Sequence, residues 1–74
     1  MVHLIYSVVR ETAYRRETGR YSTYGILAVW ADGRAAYIPD ISKEESRTAL
    51  IAAHLNRIDA SLEDFLEIVL ASHK

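Results

Sequence analysis

Along residues 1–39 the apolar positions are held by Val, Ile, Tyr, Thr and Trp and broken by glycines; residues 40–74 are rich in Ala, Leu and Glu, without glycine or proline. Strand-type residues followed by helix formers predict a run of strands and then a run of helices. Three strands are expected, about Val2 to Arg16, Arg20 to Ala31 and Arg34 to Ile38, with Pro39 closing the last, where its missing N–H does least harm. Ser42 and Glu45 stand at capping-box spacing and predict a helix from about Lys43, with Ile51, Leu55 and Ile58 as its buried stripe. After the break NRIDAS, Ser61 and Asp64 repeat that spacing. Leu62, Phe65, Leu66 and Val69 then mark one face of a second helix, and Glu63, Asp64 and Glu67 hold the other. The expected fold is α+β: a three-stranded antiparallel β-meander with two C-terminal helices packed on one face, order βββαα.

The turns decide which side chains share a face. In WADGRA the Asp32-Gly33 pair predicts a two-residue type I′ hairpin, which sets Ala31 opposite Arg34. In RRETGRY a two-residue loop would force Thr18 to positive φ, so a three-residue Glu17-Thr18-Gly19 loop is expected, with Arg16 opposite Arg20. These registers divide the sheet into an aliphatic face of Ile5, Val9, Leu27, Val29, Ala36 and Ile38, suited to receiving helices, and a ring-bearing face of Tyr6, Val8, Arg10, Tyr14, Tyr24, Ile26, Trp30 and Tyr37. An error of one residue in the first register would exchange strand one between the faces.

Length changes the picture first: 74 residues fit one domain, residues 1–74, near the lower limit for a single hydrophobic core. With no cysteine, disulfides and thiolate zinc sites are closed to it, so self-association is the expected reinforcement. Charge is divided unevenly. Residues 1–39 carry five arginines against Glu11, Glu17 and Asp32, a balance of +2, and the remainder carries −3; neither half has the strongly basic balance of a typical nucleic-acid binder. The apolar stretches are too short to span a bilayer, and MVHLIYSVVRE lacks the regions of a signal peptide. A cytoplasmic location and no membrane partner are the resulting expectations.

Candidate chemistry is sparse. His3, His54 and His73 are the only imidazoles, and none stands at ligand spacing from another or beside a carboxylate cluster, so no metal and no cofactor are expected. Ser42 and Ser61 stand where helix caps are wanted and lack a histidine-plus-acid arrangement. Adjacent carboxylates Glu44-Glu45 and Glu63-Asp64 belong to helix starts, and the glycines lead into strands rather than phosphate-binding helices. No catalytic residue is expected, and the protein is not expected to be an enzyme.

The arginine and tyrosine set around AYRRETGRYSTYG has more content. The principal expectation is a non-enzymatic protein-interaction domain, a homodimer or a binder of another protein. Its surface would be the ring-bearing face, Tyr6, Val8, Arg10, Tyr14, Tyr24, Trp30 and Tyr37, or an exposed strand edge. On that reading Trp30→Ala weakens association without unfolding the protomer. The alternative is a weak single-stranded nucleic-acid binder using the same face, with Arg10, Arg15, Arg16 and Arg20 on phosphates. A structural reading, in which aromatic residues serve the strands and charges blunt the hairpin, stands beside both.

The segments YSTYGI, IPDIS and LEDFLEIVL, over residues 21–70, resemble a family of small uncharacterised bacterial proteins in which a Tyr-Gly-Ile strand precedes an Asp-Ile-Ser approach to the first helix. Here these are Tyr24-Gly25-Ile26 and Asp40-Ile41-Ser42. The resemblance implies a cytosolic bacterial protein and a capping role for Ser42. It carries over no functional residue, because the family has no assigned activity. Where its members have a proline near the start of the last helix, this chain has Ala60-Ser61.

Overall fold

The computed structural model describes residues 4–72. Strands β1 (Leu4–Arg15), β2 (Gly19–Trp30) and β3 (Ala35–Ser42) form an antiparallel sheet in the order β1-β2-β3, followed by helices α1 (Glu45–Arg57) and α2 (Leu62–Ser72). The expected order βββαα is the observed one, with the helices on one face; Val2, part of the expected first strand, lies outside the described residues.

Both hairpin registers differ from expectation, with unequal consequences. Arg15, not Arg16, faces across the first turn, and it meets Gly19, which takes φ 75°. The pairing is displaced by an even step, so Tyr6, Val8, Arg10, Tyr14, Tyr24, Ile26 and Trp30 still share a face. The second turn holds three residues, Ala31, Asp32 and Gly33, rather than two. Trp30 N–H donates to the Arg34 carbonyl at 2.9 Å, and Gly33 alone of the three takes positive φ, 93°. Asp32 keeps ordinary φ because its carboxylate accepts from the Arg34 N–H (3.0 Å) and Arg34 Nε (2.8 Å), the side-chain closure that makes Asp a turn residue. That odd step turns β3 over: Ile38 and Ala36 lie opposite Ile26 and Ala28, while Tyr37 lies opposite Leu27 on the other face.

The helices cover the face that was expected to stay open. Leu4, Tyr6, Ile26 and Ala28 form the core with Ile41, Ala52, Leu55, Ala60, Phe65 and Val69, and Val8, Trp30 and Ile38 pack against it. Tyr6 shows why rings could fill this face. Its ring meets Phe65 edge-on (centroids 5.0 Å apart, 70° between planes), and its hydroxyl donates to the Ala60 carbonyl at 2.7 Å, so no polar atom is stranded. Burial, then the nearby carboxylates of Asp64 and Asp59, raise the Tyr6 hydroxyl above its ordinary pKa.

Helix α1 starts two residues later than predicted. Its N-cap is Glu44, and Ser42 Oγ instead accepts the Glu44 N–H at 3.0 Å, closing a turn ahead of the helix. Its buried residues are Thr48, Ala52 and Leu55, with Ile51 beside them, while Ile58 falls at the C-cap and is 46% exposed. The helix ends in a Schellman motif, Ala60 N–H to Leu55 carbonyl and Asp59 N–H to Asn56 carbonyl, with Asp59 at φ 52° where glycine is commoner. Ser61 and Asp64 do form the predicted reciprocal capping pair (both 3.3 Å). Phe65 and Val69 of α2 are buried as predicted, whereas Leu66 is 45% exposed and Ile68 takes the inner position.

Pro39 does not end β3. The strand continues through a bulge, taking four steps from Ile38 to Ser42 where β2 takes two from Ile26 to Tyr24. Asp40 bears the bend at φ 54°. It is held by buried Thr23, whose hydroxyl donates to Asp40 Oδ1 at 2.6 Å and has the Ser42 carbonyl at 3.2 Å. The bend inverts the alternation, so Ile41 enters the core.

Candidate interaction surface of the sheet

Three parts of the sheet lie outside the helical layer. The first is the far face, where Ile5, Val9, Leu27 and Val29 form the aliphatic patch that had been assigned to the helices. Ile5 is 69% exposed and Tyr37, beside Leu27, 38%. Further out this face becomes polar. Arg15 Nε donates to Tyr21 Oη at 3.3 Å, Tyr21 Oη donates to Asp40 Oδ2 at 3.4 Å, and Lys43 Nζ lies 4.9 Å from the Tyr21 ring centroid. Burial, then the carboxylate of Glu11, raises the Tyr37 hydroxyl above its ordinary range, and the hydrogen bond to Tyr21 raises Arg15.

The second part is the outer hairpin. Strands of 12 residues extend on the order of 40 Å, against roughly 20 Å for the 13-residue α1. The hairpin therefore outreaches its helices, in keeping with a longest dimension of 45 Å. On this outer length Arg10 lies directly opposite Tyr24, Thr12 opposite Ser22 and Tyr14 opposite Arg20. Arg10, Tyr14 and Arg20 are exposed there and Tyr24 is half-buried.

The third part is the edge of β1. Asn56, from α1, treats Tyr6 as a neighbouring strand would: its Oδ1 accepts the Tyr6 N–H and its Nδ2 donates to the Tyr6 carbonyl, both at 2.8 Å. The Tyr6 backbone groups thus point away from β2. With an unbroken register along β1, those of Val8, Arg10, Thr12 and Tyr14 point the same way. None of the strands pairs with them, because β1 is the outer strand.

These placements redraw the expected site. Tyr6 is core, 3% exposed, and Val8 and Trp30 are half-buried against the core, so they cannot offer a free aromatic surface; Trp30→Ala is expected to destabilise the protomer. Trp30 also borders a hollow with Leu4, Asp59, Ser61, Leu62 and Glu63, and carries the Arg34 guanidinium 5.2 Å from its ring centroid. Tyr37 is on the far face. Arg10, Tyr14, Tyr24 and Arg20 remain together on the outer hairpin, whereas Arg15 points to the other face and Arg16 sits in the turn. Sequence reasoning missed Asn56 and the Thr23–Asp40 bond, because neither a mid-helix amide nor a strand threonine carries a local signal.

Among the described residues no three His, Cys, Asp or Glu side chains gather as metal ligands, and no helix is long and apolar enough to cross a membrane. His3 and His73 lie outside the described residues. Compared with protein-family models, curated proteins and solved structures, the chain finds no match in any of the three.

Proposed function

We propose that this is a non-enzymatic protein-interaction domain that self-associates through its sheet. The observation that supports the reading is the patch on the face without helices, where Ile5 and Tyr37 are exposed beside half-buried Val9, Leu27 and Val29. One face of the sheet is finished by helices, and the other is apolar too, a pattern that marks contact surfaces in small domains. Val9 belongs both to this patch and to the β1 edge strand. Sedimentation equilibrium at rising concentration is expected to give a dimer, and Val9→Lys to weaken it by about tenfold or more with unchanged circular dichroism. A wild-type protein that stays monomeric at millimolar concentration overturns the proposal.

A second reading rests on the alternation of Arg10, Tyr24, Tyr14 and Arg20 along one face of the outer hairpin, which suits stacking and phosphate contact with single-stranded nucleic acid. It predicts binding that weakens with salt, and that Tyr14→Ala with Arg20→Ala abolishes. The slight basic excess of this half, only +2, places it second.

A further inference from the structure

We infer that the free edge of β1 pairs antiparallel with β1 of a second copy about a twofold axis at Thr12, joining two three-stranded sheets into one of six strands. The inference rests on the self-association reading and names the contact. Asn56 already occupies the backbone groups of Tyr6 at 2.8 Å, which shows that this edge accepts a strand-like partner and that the open length begins beyond it, at Val8. A twofold axis can lie only on a residue, because outward-pointing positions must meet outward-pointing positions.

The side chains choose among the axes. An axis at Val9 would set Tyr6 opposite Thr12 of the second copy, against groups Asn56 has taken. At Arg10 it would oppose two guanidinium groups, and at Glu11 two carboxylates, each unfavourable when directly opposite. At Ala13 the pairing spans only residues 11–15. At Thr12 it runs from Val9 to Arg15 with no like charges opposed: threonine meets threonine, Arg10 meets Tyr14 of the second copy, and Tyr14 meets its Arg10. Glu11 lies opposite Ala13, with Arg15 of the second copy on one diagonal and its Glu11 on the other. About six main-chain hydrogen bonds would form, together with two cation–π contacts. Because such an axis is perpendicular to the sheet, the helices of both copies stay on one side; on the other the two apolar patches lie toward opposite ends of the joined sheet, and only Val9 of each reaches the seam, opposite Arg15 of the second copy.

The chain has no cysteine, so single cysteines report proximity cleanly. Opposed Thr12 positions would stand about 5.5 Å apart at Cα, within disulfide range. Thr12→Cys, Ser7→Cys and Leu27→Cys are oxidised at a concentration where the wild type is dimeric. Thr12→Cys is expected to give on the order of tenfold more linked dimer than Ser7→Cys, through its effective concentration in the complex. Linking at Leu27→Cys in place of Thr12→Cys, or equal linking at all three, overturns the edge pairing and leaves self-association standing. A monomeric wild type removes both.

Discussion

Phe65→Ala is expected to remove most of the stability of this domain. Phe65 is fully buried, its ring fills the space between α2 and the sheet, and it meets Tyr6 edge-on at 5.0 Å. Loss of a buried phenyl costs about 3–5 kcal/mol, transfer and cavity together, and a domain this small has a total stability of roughly 4–11 kcal/mol at ordinary values per residue. The cavity would also open beside the Tyr6 hydroxyl and the Ala60 carbonyl that receives it. Urea unfolding followed by the fluorescence of Trp30, the only tryptophan, measures the loss. Leu70→Ala, on the same helix but with Leu70 69% exposed, is expected to change stability by no more than about 0.5 kcal/mol. A loss below 1 kcal/mol at Phe65 would mean that α2 is not held against the sheet as described.

Gly25→Ala is expected to destabilise the sheet by about 2–3 kcal/mol. A Cβ at Gly25 would stand 2.5 Å from the Ile38 carbonyl oxygen and 2.8 Å from the Tyr37 ring. The ring can swing aside, but the carbonyl belongs to the β3 backbone at the mouth of the bulge. The combined variant Gly25→Ala with Tyr37→Ala separates the two obstacles: stability is expected to stay low, since the carbonyl remains. Recovery in the double variant would place the obstruction in the ring and contradict the account given for the bulge.

The same close approach explains two sequence motifs that looked unrelated. Tyr24-Gly25-Ile26 and Asp40-Ile41-Ser42 are two sides of one structure: Tyr24 pairs with Ser42 across the bulge, Gly25 leaves room for Ile38, and Ile26 and Ile41 both enter the core. Element order was legible because propensity changes so sharply near Pro39. The partition of β1 and β2 was legible because side chains alternate with period two, which survives a register error of an even step. The facing of β3 was not. Asp-Gly serves a two-residue turn with Asp at positive φ, or a three-residue turn with only the glycine there, and the second arises because the Asp32 carboxylate closes onto Arg34.

Which face the helices cover was hidden for a different reason. Both rows of the sheet are apolar, so patterning could not rank them. The choice lies in polar closure at long range, where the Tyr6 hydroxyl finds the Ala60 carbonyl and the Tyr6 backbone finds Asn56. These partners lie 54 and 50 positions away in sequence, beyond the reach of any local rule. Candidate residues shared the fate of their rows: Tyr6 and Trp30 went to the core side, while Arg10, Tyr14 and Arg20 escaped only because the hairpin is longer than α1.

The bulge of β3 also bears on how far any strand addition could run. A three-stranded sheet has two edges, and growth without limit requires both. Ile38 faces β2, so Pro39 turns its nitrogen to the outer side of β3, where it has no hydrogen to donate, and Asp40 at φ 54° then bends the strand out of line. A chain that joins at β1 therefore presents no second flat edge to the next. Strand addition of the kind proposed at β1 would then close at two copies, because the kink that places Ile41 in the core leaves β3 without a flat edge for a further chain.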